Sequence, residues 1–280
     1  MSVAGGLHHA FAHICKVGGE ALQIFTRNQR QWGAAPVNGQ EAAEFLAAWR
    51  AAGEMPVACH DSYLINLASS KAETEERSIQ AMIDELGRCR LLQIPWLIMH
   101  PGSHLGQGVK AGIARCSRNL DMVLQGAGPD NRVTILLENT AGQGSNLGSR
   151  FEELAEIIAS SRNPERFGIC FDTCHAFAAG YDLRTPAAYE ATFAAFDRRI
   201  GLARLLFFHL NDAMKGLGSR VDRHAHIGQG MIGLQGFRLL MNDPRFHRHP
   251  MVLETDKSPD LHEDMENLAV LRGLMTEKGS

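Results

Sequence analysis

The 280-residue chain contains no run of about 18 or more apolar residues, so no segment of it reads as a membrane-spanning helix. Its opening residues, MSVAGGLHHAF, lack the basic stretch and long apolar segment of a secretory leader. The six Cys (15, 59, 89, 116, 170, 174) form no CxxC pair and no dense framework. Disulfides are therefore not expected, and a reducing cytoplasm is the expected setting. No Lys/Arg block or basic tail accompanies the formal net charge of −3, which taken alone argues against a nucleic-acid partner. No Pro/Gly/Ser-rich linker, composition break or low-complexity tract divides the chain, and residues 1–280 read as one domain. Neither GxGxxG nor GxxxxGK[ST] follows the first apolar run (the single GxGxxG, Gly228–Gly233, lies far downstream), so the phosphate loop usual after the first strand of doubly wound nucleotide-binding sheets is missing.

Hydrophobic residues make up 45% of the sequence, ample for a buried core. They recur as seven short apolar runs: ALQIF (21–25), MPVACH (55–60), WLIMH (96–100), VTILLEN (133–139), FGICFD (167–172), LLFFHL (205–210) and PMVLET (250–255). Helix patterns lie between them. Residues 72–92 carry the 3.6-residue apolar spacing of a surface helix, and Ser149-x-x-Glu152 reads as a capping box. Thr185-Pro186 and Ser258-Pro259 each place an N-cap residue before a Pro at the first helical position. Strand–helix alternation of this kind means βαβ units and a parallel sheet. Seven strands fit either an open doubly wound sheet or a (β/α)8 TIM-type barrel with one strand short. The polar residues decide for the barrel.

The stretch from Leu205 to Ile232, LLFFHLNDAMKGLGSRVDRHAHIGQGMI, shows why. An apolar run ends in His209, and Asp222-x-His224 follows in a Gly-rich loop, a ligand set suited to zinc or a similar divalent ion. The strand-end pattern repeats. His60, His100, Glu138, Asp172, His209 and Glu254 each close an otherwise apolar run. In a parallel barrel the C-terminal strand ends surround one mouth, so the six side chains converge there. One such residue is usually satisfied by backbone; six together without cations would cost several kcal/mol in desolvation and repulsion. His175, one turn after Asp172, joins Asp222 and His224 to bring the set to nine. Nine ligands suit two or three ions, and a cluster of divalent ions points to phosphoryl chemistry.

These segments carry a resemblance. FTRNQRQW (25–32), HDSYLINLAS (60–69), MHPGSH (99–104), LLENTAGQGSNLG (136–148), GICFDTCHAFAAGYD (168–182), HLNDAMKGLGSRVDRHAHIGQGMIG (209–233) and VLET (252–255) together resemble the endonuclease IV family of apurinic/apyrimidinic (AP) endonucleases, from about Gly5 to Thr255 in order. The resemblance implies three Zn2+ at the mouth of a TIM barrel and hydrolysis of double-stranded DNA 5′ to an abasic site. The expected products are a 3′-hydroxyl and a 5′-deoxyribose phosphate. By motif, His60 and His100 hold one zinc, and Glu138, the expected catalytic residue, bridges to a second completed by Asp172, His209 and Glu254. His175, Asp222 and His224 hold the third. Arg30, Tyr63 and Leu64 match the residues the family inserts into DNA while flipping out the abasic nucleotide. An apolar wedge fills a stack already lacking a base, so flipping there is cheap. Three dications would turn the formal −3 into +3, and six positive charges against four ligand carboxylates leave a local excess of two. Arg27, Arg30, Lys215, Arg220 and Arg223 are expected on the rim, so DNA affinity can be local. A monomer is expected.

Two departures stand out. Family members begin with a strand ending in Gly-Ala-His before the turn that is Ser2-Val3-Ala4-Gly5-Gly6-Leu7 here, which accounts for a count of seven and predicts unpaired edges at 21–25 and 250–255. Gln229 stands where a charged residue is usual. His8, His9 and His13 read as a solvated helix face, and His247 and His249 as structural residues at the barrel bottom. Cys59, Cys170 and Cys174 neighbour ligands; Cys59 and, by alternation, the interior of the strand 167–172 read as packing. His104 and His226 lie in rim loops, with roles left open. A sugar isomerase on the same kind of barrel would want a strand-end Lys, and none exists. A metal-storage or inactive DNA-binding protein is the non-enzymatic alternative.

Overall fold

The structure, a computed structural model, describes residues 1–276. Six parallel strands follow the first six predicted runs: β1 (Leu22–Ile24), β2 (Val57–His60), β3 (Trp96–Met99), β4 (Thr134–Glu138), β5 (Phe167–Asp172) and β6 (Leu205–His209). A two-stranded antiparallel pair, β7 (Asp212–Ala213) and β8 (His224–Ala225), rises above the mouth, and β9 (Met251–Val252) completes the wall. The seven wall strands pair in the order β1-β2-β3-β4-β5-β6-β9, each parallel to its neighbour. Among the described residues β1 and β9 do not pair with each other. A cavity of about 310 Å3 separates them, and the Met1 amine donates to the Gln23 carbonyl at 2.8 Å from within it. The open seam lies where the strand count predicts it.

Helices α1 (His9–Lys16), α2 (Gly39–Ala51), α3 (Ala72–Leu91), α4 (Val109–Ala127), α5 (Phe151–Ser160), α6 (Thr173–Ala179), α7 (Pro186–Arg199), α8 (Gly233–Met241) and α9 (His262–Leu274) are the helical partners of the barrel. Alternation along each strand divides the core in two. One set, including Leu97, Leu137, Ile169 and Phe208, packs against the helices, while Ala58, Ile98, Leu136, Cys170, Phe207 and Val252 fill the barrel interior.

Local capping agrees with the sequence at one of three places. Thr185 accepts from the Ala188 N–H at 3.2 Å with Pro186 at the first position of α7. The Ser149 box does not form, because α5 begins at Phe151 after Arg150 and Glu153 turns back to accept from the Gly148 N–H at 2.8 Å. Ser258-Pro259 builds a turn ahead of α9, closed by Leu261 N–H to Ser258 O at 3.1 Å and by the Ser258 hydroxyl donating to Glu263 at 2.6 Å.

Candidate metal centre

The two-residue period of a strand explains why the polar strand ends share one site. Ala58, Ile98, Leu136, Cys170, Phe207 and Val252 all face the barrel axis. Two residues on, in each case, come His60, His100, Glu138, Asp172, His209 and Glu254. Each strand therefore contributes an apolar residue to a floor and an imidazole or carboxylate to the layer above it. The other three candidates are brought in by loops. Asp172 ends β5 and also caps α6, accepting from the His175 N–H at 2.7 Å, which sets His175 one turn above the strand. The β7–β8 pair, with Ala213 opposite His224, closes the loop that returns Asp222 and His224 over the mouth.

All nine candidates fall into three groups whose ligand atoms lie within 4.8 Å of one another: His60/His100/Glu138, Glu138/Asp172/His209/Glu254, and His175/Asp222/His224. Glu138, fully buried, belongs to two of them. Its Oε2 lies 3.1 Å from both His60 Nε2 and His100 Nε2. Its Oε1 lies 3.1 Å from His209 Nδ1 and from His175 Nδ1. In the third group His175 Nε2 and His224 Nε2 lie 3.2 and 3.4 Å from Asp222 Oδ1. Both nitrogens are buried without a hydrogen-bond partner. Two orphaned imidazole nitrogens aimed at one carboxylate oxygen are a donor set that fits a divalent cation and leaves little else to satisfy it.

Outer contacts hold the ring orientations. His60 Nδ1 meets the Asp61 carbonyl at 3.0 Å, His175 Nδ1 the Asn139 carbonyl at 2.9 Å, and His224 Nδ1 the Glu254 carbonyl at 3.1 Å. Asn211 donates to Asp172 Oδ2 at 2.6 Å and accepts from the Glu254 N–H at 2.8 Å. The Gly-rich loop hangs on Asp212, whose buried carboxylate accepts from the N–H groups of Ala213, Gly228, Gly230, Ile232 and Gly233 at 2.8–3.2 Å. A Cβ on Gly230 would sit 2.5 Å from that carboxylate and from the Ala213 carbonyl, so only Gly fits there.

Electrostatics point the same way. Burial alone would lower the His60 imidazole, but hydrogen bonds to Asp61 and Glu138 raise it well above its ordinary value. His175 is raised likewise, with Asp172, Asp222 and Glu138 outweighing burial. Burial would raise Glu138, yet His209, His100 and His175 hold it well below the carboxylate range. Asp222 is pulled down to about 2 because its close contact with the His175 imidazole overcomes burial. Without cations the cluster balances its carboxylates by keeping protons on imidazoles, and divalent ions would displace those protons. Burial pushes the Cys170 and Cys174 thiols up; Cys170 packs in the barrel interior, whereas the Cys174 thiol shares a candidate ligand group with Asp172 and His224.

At the rim, Tyr63 is 68% exposed, 5.9 Å ring to ring from Phe25 and 6.4 Å from His60, while Leu64 beside it is half-buried. Arg30, Lys215, Arg220 and Arg223 are exposed and form no ion pair among the described residues. Arg27 departs from the expectation. Its side chain is 3% exposed, turned inward onto Asp84 at 3.2 Å, Glu85 at 3.7 Å and the Trp32 carbonyl, so it braces the loop instead of facing the rim. His249 meets the Leu205 carbonyl at 2.9 Å, a structural tie at the barrel bottom, and His226 is tied to Asn267 at 3.0 Å. Gln23, Asp61, Asn139, Asn211 and Asp212 escaped the sequence reading. Gln23 left a signal, as the one polar residue inside the run ALQIF.

A parallel β/α barrel with a layer of imidazoles and carboxylates at its C-terminal mouth defines a metal-binding TIM barrel. The family described as a xylose isomerase-like TIM barrel matches residues 11–274. Similarity runs further than the fold. A "probable endonuclease 4" of Chloroflexus aggregans is 52% identical over 275 residues, covering 98% of this chain and 96% of the relative. Endonuclease IV of Thermus thermophilus superposes with a TM-score of 0.87 at 37% identity, over 98% of this chain and 96% of that one. The chain belongs to the endonuclease IV family. A D-tagatose 3-epimerase-like protein, at 19% identity and a TM-score of 0.73 over 99% and 97% of the two chains, shares the barrel alone.

Proposed function

We propose that this chain is a zinc-dependent AP endonuclease of DNA base excision repair, cutting the phosphodiester bond 5′ to an abasic site in duplex DNA. Membership of the endonuclease IV family makes it a DNA-cleaving hydrolase; the ions, the substrate lesion and the products belong to the proposal. One observation carries it: each oxygen of the buried Glu138 faces a different pair of imidazoles, so one carboxylate joins two ligand groups beside a third. Three zinc ions bound at these groups would neutralise phosphate oxygens, supply a nucleophilic water at neutral pH and stabilise the leaving oxygen.

The protein's own residues do the rest. Glu138 keeps its charge because four imidazoles surround it. The carbonyls of Asp61, Asn139 and Glu254 fix the rings that hold the ligating nitrogens in place. Arg30, Tyr63 and Leu64 enter the DNA at the missing base, while Lys215, Arg220 and Arg223 meet backbone phosphates. No Lys stands in the mouth layer, which disfavours a sugar-isomerase reading of the same barrel. A cytoplasmic monomer is part of the proposal; six free Cys suit a reducing compartment, and no described helix is long and apolar enough to cross a membrane. The test is zinc per chain together with nicking of a duplex carrying one abasic site. About three zinc ions and a single 5′ incision with a 3′-hydroxyl end are expected; intact DNA with metal-loaded protein would leave a storage or binding role.

A further inference from the structure

The mouth layer has seven inward positions, one for each wall strand. Six carry the candidate ligands His60, His100, Glu138, Asp172, His209 and Glu254. The seventh, on β1, carries Gln23: Ala21 packs on the barrel-interior cluster, and two residues on the alternation turns Gln23 to the same axis. Its buried amide spans two members of one group. Nε2 donates to Glu254 Oε1 at 2.6 Å, and Oε1 lies 2.7 Å from His209 Nε2.

Donor logic fixes the orientation. A carboxylate oxygen only accepts, so the amide NH2 must face Glu254 and the amide oxygen must face His209. An amide oxygen also only accepts, so His209 carries its hydrogen on Nε2. That leaves the Nδ1 lone pair free, and Nδ1 is the atom 3.1 Å from Glu138 and 3.2 Å from Glu254 Oε2. The same amide occupies Glu254 Oε1 and leaves Oε2 toward the group. From this geometry we infer that Gln23 is a positioning residue for the four-ligand group: it selects the ligating tautomer of His209 and the ligating oxygen of Glu254. The inference rests on the metal-centre reading above. If Gln23 were only a polar filler of the seam between β1 and β9, its loss would affect folding and not metal affinity.

Gln23→Met keeps the side-chain length and removes both hydrogen-bonding atoms. In zinc titrations of the full chain against a chelating indicator, the variant should lose one class of site by about 10–100-fold in affinity. The other two sites should keep wild-type affinity, whereas a mere filler would lower the melting temperature of the zinc-free protein and leave all three affinities unchanged. Three sites of wild-type affinity in Gln23→Met would overturn the role of Gln23 while leaving the metal centre intact. Wild-type protein with no zinc at the four-ligand group would instead sink the metal reading itself. A long-range 1H–15N spectrum of zinc-loaded wild-type protein reads His209 directly, whether or not the variant folds. Nε2 protonated with Nδ1 on the metal supports the inference, and the reverse assignment refutes it.

Discussion

Changing Glu138 to Gln would keep the shape of the side chain and remove the one negative charge shared by two ligand groups. Four imidazole nitrogens lie 3.1 Å from its oxygens, and none of it reaches solvent. At that separation, with an effective dielectric of about 20, each unit of positive charge interacts with the carboxylate by about 5 kcal/mol. The variant also turns an NH2 donor toward one of the two imidazole pairs, where an acceptor stood. Even if most of the lost attraction were recovered by relaxation and bound water, about 4 kcal/mol remaining in the transition state is a factor of about 10³ in rate. Nicking of an abasic-site duplex by Glu138→Gln should therefore fall at least about 10³-fold. Zinc content, circular dichroism and a melting curve would accompany the assay, so that unfolding is not mistaken for lost chemistry. A folded Glu138→Gln protein that carries three zinc ions and nicks at the wild-type rate would refute the bridging role.

Tyr63→Ala removes an exposed ring that makes no hydrogen bond among the described residues, so zinc content and stability should hold while binding to abasic duplex weakens by about 1–3 kcal/mol. Loss of zinc in a binding and metal-content comparison would make Tyr63 a structural residue. Asp212→Asn sets an NH2 among five N–H groups that now share a carboxylate. It should cost at least about 3 kcal/mol in denaturant unfolding and release zinc first from His175/Asp222/His224. Wild-type stability with full zinc would show that the loop needs no anchor. Glu85, buried on α3 against Thr26 and Arg27, has its carboxyl raised to about 7 by burial. The folded state then keeps a proton that the unfolded chain releases from about pH 4.5, so this group removes stability as pH rises to about 7 and nothing further above that. Glu85→Gln should flatten that slope, gaining up to about 3 kcal/mol on the wild type across the window, less what Arg27 loses; parallel pH–stability curves for the two proteins would contradict it.

What the sequence made legible follows from periodicity. Seven wall strands appear as seven apolar runs because a strand buried on both faces must be apolar at nearly every position, and its end is where polarity can resume. The nine candidate ligands stood out for the same reason: an imidazole or carboxylate at the end of such a run has nowhere to go but the mouth. The open seam between β1 and β9 also follows from counting strands. Signals that depend on one hydrogen bond were less reliable. Ser149-x-x-Glu152 has the composition of a capping box, but Glu153, one residue later, reaches the Gly148 N–H and moves the helix start with it. Arg27 looks like a rim cation until the half-exposed Asp84 and buried Glu85 on α3, nearly 60 residues away, are known to face it.

The residues around the ligands were hidden for a different reason: their roles depend on which atom faces which. Asn139, Asn211 and Asp212 follow ligands directly or closely, a position that sequence alone reads as loop. Gln23 differs, because the two-residue rule that finds the six strand-end ligands applies to it as well. A Gln inside ALQIF breaks the apolar pattern at the position where the other six strands place a ligand. Neutral amides do not suggest metal, so residue type masked what position already implied. In a barrel of this kind the inward position two residues above the apolar floor is the informative unit, whatever side chain occupies it. A neutral residue there that carries both a donor and an acceptor, such as Gln, Asn, Ser or Thr, is a candidate for holding ligands in place, because it can donate to a carboxylate and accept from an imidazole without adding charge to the cluster.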